Sequence, residues 1–380
     1  MTDRPISRAG LAAALLPVAA IATFALVVGA TLFAGAAAGT LGYDYLAYDA
    51  AARRLLAGQP LYDTSFQTSG TFGLFYYPPP FILIVLPFTL LPASAATWAW
   101  IGALVACFAA GVVLLPVSTR VRWLIVLAAA IQWPFAYALK LGQVGPLLFL
   151  CFAVGWRWLD RALPLGGGIA VGALVKIQPA LLIVWAALSG RRRAAGVAVA
   201  IGLVVALVTT LLTGFGAWFD FADLVRRVSD PITTPKNLTP GAVAYQLGLE
   251  RGAAAGIQLA ATVAVLGLVV VSARRSPAAA SFLVAVIASQ LVSPILWDHY
   301  AMLILLPVAW LLERRQWWAL LGPVLTSVPL FGLVPPAGYL ATLVVACLAP
   351  WLVSLRASAS PAPPTPASLA RAPLPPATGG

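Results

Sequence analysis

An all-α polytopic membrane protein is the fold class this sequence predicts, and three observations predict it. Hydrophobic residues make up 62% of the chain and charged residues only 9%, far from the roughly 45–50% and 25% of soluble domains. Apolar runs follow one another along nearly the whole length, separated by short polar or arginine-bearing stretches. Thirteen Trp and ten Tyr suit a chain with many membrane interfaces, where an apolar ring with one polar edge is most comfortable.

The first element is the run Leu11 to Ala38, preceded by Arg4 and Arg8. It is longer than the roughly 7–15 residues of a signal-peptide core, so it reads as an uncleaved first span with a cytoplasmic N-terminus. A crossing takes about 20 apolar residues. Further candidate segments fall near 78–92, 94–116, 122–139, 144–158, 166–188, 194–213, 254–272, 278–296, 300–312, 317–334 and 337–355. The expected architecture is a bundle of about 10–12 transmembrane helices, some broken or re-entrant.

Two arrangements of these segments are open. If all twelve cross, both termini are cytoplasmic, and Arg191-Arg192-Arg193, Arg274-Arg275, Arg314-Arg315 and Arg356 obey the positive-inside rule. Arg120, Arg122, Arg157 and Arg161 then fall outside. In the second arrangement 122–141 is re-entrant and 166–190 is a hairpin broken around Lys176-Ile177-Gln178-Pro179, which brings Arg157 and Arg161 inside. Broken helices are tolerated where they line a protein cavity, and Pro134 and Pro179 are natural break points.

Both arrangements put the 39–77 loop, the 214–253 loop and the turn Trp297-Asp298-His299-Tyr300 on one external face. Residues 1–356 are thus expected to form a single integral membrane catalytic domain of the plasma membrane. Residues 357–380, rich in Ala, Pro and Ser, read as a disordered cytoplasmic tail.

Composition also narrows the chemistry. The net charge of +12 comes from basic residues dispersed between apolar runs, which fits topology signals and not a nucleic-acid groove. Cys107, Cys151 and Cys347 lie inside apolar runs, an odd and dispersed set that gives neither a disulfide framework nor a metal spacing. His299 is the single histidine, and no HExxH or CxxC pattern accompanies it, so neither a zinc site nor a cofactor is expected. Gly166-Gly167-Gly168 lacks the Walker pattern of a phosphate loop.

Acidic residues are scarce, 11 in 380, and Asp44 stands at the mouth of the first span. An acid there is costly and reads as a functional-site candidate. If 45–56 is an interfacial helix, Asp49 and Arg53 pair at i, i+4, and Asp44 is left as either an N-cap or a catalytic base. Phe75-Tyr76-Tyr77-Pro78-Pro79-Pro80 is a rigid lead into the next apolar segment, and its plainest reading is a proline-led helix start with rings at headgroup level.

Gln143 and Lys176 interrupt apolar helices, at a cost that calls for protein or water around them. Lys176 can instead snorkel to an interface, but it lies about ten residues from either end of its run. Ser293-Pro294-Ile295-Leu296-Trp297-Asp298-His299-Tyr300 gathers Trp, Asp, His and Tyr between two apolar segments, on the face assigned to Asp44. Asp44, Asp49 and Asp298 can in principle share an ion.

Taken in order, these segments resemble glycosyltransferase family 87, whose members are polyprenyl-phosphate-mannose-dependent mannosyltransferases of the GT-C superfamily. The resemblance runs from Asp44 to Tyr300: Asp-aromatic-x-x-Tyr, Gly-x-Pro-Leu-Tyr, Tyr-Pro-Pro, Gly-Gln, Lys-x-x-Pro and Ser-Pro-x-x-Trp-x-His. Where the family often carries paired histidines late in the chain, His299 here is followed by Tyr300.

The resemblance implies a GT-C-like bundle and an inverting transfer of a hexose, mannose above all, from a polyprenyl-phosphate donor to a glycolipid or glycan hydroxyl. Asp44 is then the general base. His299, Lys176 and Gln143, joined by Asp298 and Tyr48, meet the donor phosphate and sugar. Tyr76, Tyr77 and Pro78 line the lipid access path, and the partners are the donor lipid, the acceptor and membrane lipid. The rival class is a secondary transporter or lipid-linked-sugar flippase, in which Lys176 is a counter-charge; the chain shows no internal repeat of the kind that class uses.

Overall fold

The computed structural model describes residues 8–65, 73–228 and 230–359. Among them every regular element is helical, and the one β-bridge joins Gln132 and Ser327. Five helices are long and apolar enough to cross a membrane alone, with stretches at Ala14–Ala37, Ala93–Leu114, Arg192–Thr213, Arg251–Arg275 and Pro336–Arg356. A sixth candidate is the pair Trp133–Leu141 and Gly145–Arg157, bent by 116°. The other apolar runs form shorter helices, cut by proline, glycine and polar residues, as expected of a bundle in which some helices are broken or re-entrant.

The elements that position the site are α1 (Arg8–Ala37), α2 (Tyr43–Leu56), α3 (Ala93–Leu114), α4 (Thr119–Ile131), α5 (Trp133–Leu141), α6 (Gly145–Arg157), α7 (Ala162–Val175), α8 (Leu181–Leu188) and α9 (Arg192–Thr213). They are followed by α10 (Gly216–Val228), α11 (Pro240–Gln246), α12 (Arg251–Arg275), α13 (Ala278–Leu291), α14 (Leu305–Glu313) and, after shorter turns, α15 (Pro336–Ala359). Pro134 opens α5 after a break at Gln132, and Pro179 follows the break at Lys176. Both prolines stand where a missing N–H costs least. From Ala280 to Leu291 every residue of α13 is buried, which makes it the central helix of the bundle.

The segment 78–92 does not cross. Its helical part, Pro79–Leu90, reaches about 18 Å at 1.5 Å per residue, short of the ~30 Å hydrocarbon core. Both of its ends stay on α2: the Tyr48 hydroxyl donates to the Tyr77 hydroxyl at 2.8 Å, and Arg53 donates to the carbonyls of Thr89 and Leu91 at 3.4 and 3.0 Å. The expected Arg53–Asp49 pair is formed, at 2.7 Å.

This return changes which side the arginines occupy. α3 and α6 run side by side in the same direction, since Gly142 meets Trp100 and Gly111 meets Phe149 and Leu150. Their C-terminal ends therefore lie together. At that end Ser118 binds Glu313 at 2.8 Å, Arg120 sits over Trp317, and Arg191 bridges to Asp160 and the Leu159 carbonyl. Trp185 Nε1 donates to Ser281 Oγ at 3.2 Å, which brings the start of α13 there too. Arg120, Arg122, Arg157 and Arg161 thus share one end with Arg191–Arg193, Arg274, Arg275, Arg314 and Arg315, correcting the arrangements that put some of them opposite.

At the other end, the described parts of the 39–77 and 214–253 segments carry the helices α2, α10 and α11. α10 lays Phe221 against Tyr62, with ring centroids 5.8 Å apart, and buries Leu224. Its remaining face carries Asp220, Asp223, Arg226 and Arg227, the pattern of a helix lying in an interface. α15 continues through Ala359, so the first residues of the expected tail are helical; the rest of that tail lies outside the described residues. Cys151 and Cys347 are buried and unpaired, as small core residues.

Candidate active site

Two left-handed glycines bring the first pieces together. Gly42, at φ 71°, donates its N–H to the Lys140 carbonyl at 2.7 Å, and a Cβ there would come within 2.4 Å of Thr97. Gly142, at φ 73°, is held by Trp100 Nε1 at 2.7 Å, and a Cβ would come within 2.8 Å of Tyr45. Only glycine meets both the positive φ and the close approach. The start of α2 is thereby locked against the sharp corner between α5 and α6, and Gln143 at that corner donates through Nε2 to Asp44 Oδ2.

Asp44 caps nothing. α2 begins at Tyr43, its N-cap is Gly42, and no side chain caps it. The carboxylate stands instead in the first helical turn, where the helix dipole favours negative charge.

Gln143 is the centre of a hydrogen-bonded chain. Its Oε1 accepts the Tyr77 hydroxyl at 2.8 Å, and Tyr77 in turn accepts from Tyr48 at 2.8 Å. Tyr62 donates to the Tyr77 carbonyl at 2.7 Å. Tyr77 and Pro78 are buried and Tyr76 is half-buried. The aromatic-proline run therefore forms an inner wall of the site, not a belt at headgroup level, and Tyr77 belongs to the polar chain that orients Asp44.

The facing wall comes from two helix breaks. Lys176 ends α7 in extended backbone, φ −140° and ψ 143°. Its Nζ lies 3.6 Å from the Tyr300 ring centroid and 5.5 Å from that of Tyr77. Being 8% exposed, it does not snorkel, and among the described residues it has no carboxylate partner. Gln178 Nε2 donates to Ser293 Oγ at 2.8 Å, tying this break to the loop before His299.

His299 is 5% exposed. Its Nδ1 is 3.6 Å from Asp298 Oδ1, beyond hydrogen-bonding reach, and neither ring nitrogen has a hydrogen-bond partner among the described residues. A buried imidazole with both nitrogens unmet is uncommon and calls for an explanation. Asp298 itself accepts from Trp133 Nε1 at 3.1 Å and from the His299 N–H at 2.8 Å.

His299 and Lys176 lie close enough to Asp44 for their charge to act on its carboxyl. Burial pushes the Asp44 pKa up, and His299, the Gln143 hydrogen bond and Lys176 pull against that without reversing it. Asp49 takes no part: its Oδ2 is bound by Arg53. Among the described residues no three His, Cys, Asp or Glu side chains are grouped to hold a metal, so Asp44, Asp49 and Asp298 do not form the shared ion site considered from the sequence.

The pattern of glycosyltransferase family 87 matches residues 75–294, more than half of the chain. The protein belongs to glycosyltransferase family 87. No curated protein and no solved structure matches it. Together with the apolar helices, membership makes this chain a multi-pass membrane glycosyltransferase, and it decides between enzyme and transporter. Tyr76, Tyr77, Pro78, Gln143 and Lys176 fall inside the matched region of the family 87 enzyme. Asp44, Tyr48, Asp298 and His299 fall outside it and are placed by geometry.

Some residues of the candidate site were not singled out in the sequence. Asn237, fully buried, donates to the carbonyls of Pro231 and Pro294 and accepts the N–H groups of Leu296 and Thr239, over 2.8–3.2 Å. It latches the 230–239 segment to the loop that carries His299. Trp133 and Tyr137 orient Asp298 and pack by His299, with the Tyr137 ring 6.2 Å from the imidazole. Only Asn237, as an amide among prolines and threonines, leaves a sequence signal, and a weak one.

Proposed function

We propose that this enzyme transfers a hexose, most simply mannose, from a polyprenyl-phosphate donor to a glycolipid or glycan hydroxyl on the external face of the plasma membrane. The observation that carries this is the meeting of one half-buried carboxylate, Asp44, with two cation-capable side chains, His299 and Lys176, at one place.

In this reading Asp44 takes the proton of the acceptor hydroxyl as its oxygen attacks the anomeric carbon. The bond from that carbon to the phosphate oxygen breaks, and polyprenyl phosphate departs with the electron pair. An upward-shifted carboxyl is a better base than an ordinary one. The unmet nitrogens of His299 and the charge of Lys176 receive the phosphate as negative charge gathers on it, a stabilisation that needs no reorganisation because the groups are already in place. Asp298 holds the backbone at His299, while Tyr48, Tyr77 and Gln143 hold Asp44. Attack opposite the leaving phosphate inverts the anomeric centre, so a β-linked donor yields an α-linked product.

The face is supported by the arginines. All the clusters at one end of the bundle satisfy the positive-inside rule if that end is cytoplasmic; in this reading Asp44 is external and both termini are cytoplasmic. The donor is tested with the full-length protein in nanodiscs, supplied with radiolabelled polyprenyl-phosphate-mannose and a membrane lipid extract. Mannose should appear in α-linkage on an extract lipid or glycan; transfer from nucleotide-sugar but not from the lipid-linked donor overturns the reading.

A further inference from the structure

Between α1 and α5 lies a groove of about 640 Å³, open sideways and lined by Leu26, Ala30, Ala34 and Gly35 on one side and Trp133 and Lys140 on the other. We propose that it holds the polyprenyl chain of the donor, with Lys140 as the first cation its phosphate meets; this rests on the reading of the donor given above.

Three observations carry the assignment. First, the groove adjoins the site. Trp133, one of its walls, donates to Asp298, and Tyr137 stands between Lys140 and His299, with its ring 5.8 Å from the Lys140 ammonium and 6.2 Å from the imidazole. Second, the stretch of α1 nearest Lys140 lines the groove with the small Ala34, Gly35 and Ala38, while the bulkier Leu26, Val27 and Thr31 stand further along the helix, which leaves room for an extended chain.

Third, the charge is complementary. The stem of Lys140 lies against Gly35, where a Cβ would come within 3.0 Å of it. Among the described residues its ammonium forms no ion pair, and it is the one charged side chain on a wall that is otherwise nearly all apolar. In lipid an apolar groove gains nothing from hydrophobicity alone, since acyl chains are as apolar as leucine. Selection for one lipid must come from shape and from the headgroup charge that Lys140 meets.

The test uses the full-length protein in nanodiscs and a long-chain polyprenyl phosphate bearing a diazirine in the chain, which reports binding without requiring transfer. Photolabel is expected on peptides spanning Leu26–Ala38 and Trp133–Lys140, displaced by unlabelled polyprenyl phosphate but not by phosphatidic acid at the same concentration. Ala34→Trp, at an exposed position of α1, should cut that labelling about tenfold, the effect of ~1.4 kcal/mol. Leu203→Trp on the lipid face of α9 should leave it unchanged. Lys140→Gln should weaken labelling several-fold for the phosphate and not for the matching polyprenol.

Label spread evenly over α9 and α12, equal displacement by phosphatidic acid, or labelling indifferent to Ala34→Trp would each overturn the groove assignment. Such a result beside intact mannose transfer sinks the groove alone. Labelling in the groove without transfer leaves the lipid site standing and removes the proposed reaction.

Discussion

The side-chain amide of Gln143 is bonded to the carboxylate of Asp44 across the lock formed by Gly42 and Gly142. One end of this amide donates to the acid, and the other accepts from Tyr77. Gln143 therefore has a defined orientation, and Asp44 has one oxygen fixed by it. As the proposed base, a carboxylate held this way is aimed before substrate arrives, which is where positioning contributes to rate.

The first prediction concerns that bond. A base works ionised, so activity falls as pH drops through its pKa, and the upward shift of Asp44 puts this fall above the ordinary aspartate value of about 3.9. Gln143→Leu removes a bond that lowers the pKa, and Gln143→Glu adds a like charge. Both should move the acid limb of the kcat/KM profile to higher pH, with Gln143→Glu moving it further and Gln143→Leu also losing about tenfold or more in kcat.

Lys176 gives a prediction with opposed signs. A buried cation without a carboxylate partner costs stability, so Lys176→Met should raise the thermal unfolding temperature while lowering kcat/KM for the lipid-linked donor by about 10- to 100-fold, the scale of a lost charge contact to an anion. Tyr300→Phe keeps the ring under the ammonium and should be mild. Tyr300→Leu removes a cation–π contact worth about 0.5–2 kcal/mol and should cost about 2- to 30-fold. Steady-state kinetics with varied donor separates the effects.

Asn237→Ala removes four hydrogen bonds at a fully buried position and leaves their backbone partners unmet. At about 1 kcal/mol each, a loss of about 4 kcal/mol is expected, read as a lower unfolding temperature. Because the latch holds the loop before His299, kcat should fall more than the donor KM rises.

Gly142→Ala forces a side chain into φ 73° and within 2.8 Å of Tyr45 Cβ. The backbone term alone is about 1–2 kcal/mol. Thermal unfolding should show that loss, and transfer should fall with it as Gln143 is displaced from Asp44.

Much of the candidate site was legible in the sequence because the residues that compose it are anomalies against an apolar background. Gln143 and Lys176 interrupt hydrophobic runs, and Asp44 and His299 stand as scarce polar groups at the ends of such runs, so their cost is visible without coordinates. The Asp49–Arg53 pair followed from helical spacing alone. What the sequence did not disclose is set by tertiary contact. Segment 78–92 is apolar like a span, and only the grip of Arg53 on Thr89 and Leu91 shows that it returns to its own side. Tyr77 reads as an interface ring until its bonds to Tyr48 and Gln143 place it inside. The N-cap reading of Asp44 failed by two residues, because the crowded Gly42 starts α2 before it.

The account turns on Asp44 as the base, and Asp44→Asn tests it most directly, measured as sugar transfer from a radiolabelled polyprenyl-phosphate donor in nanodiscs alongside thermal unfolding. A folded-state pKa raised above the unfolded one gives stability that is present below the unfolded value and lost as pH rises through the folded value. At neutral pH the ionised Asp44 is therefore a cost to the fold, and the neutral asparagine should leave the unfolding temperature equal or higher. Transfer is predicted to fall by about 10²–10⁴-fold in a protein at least as stable as the wild type. Undiminished transfer by the Asp44→Asn enzyme would contradict the account.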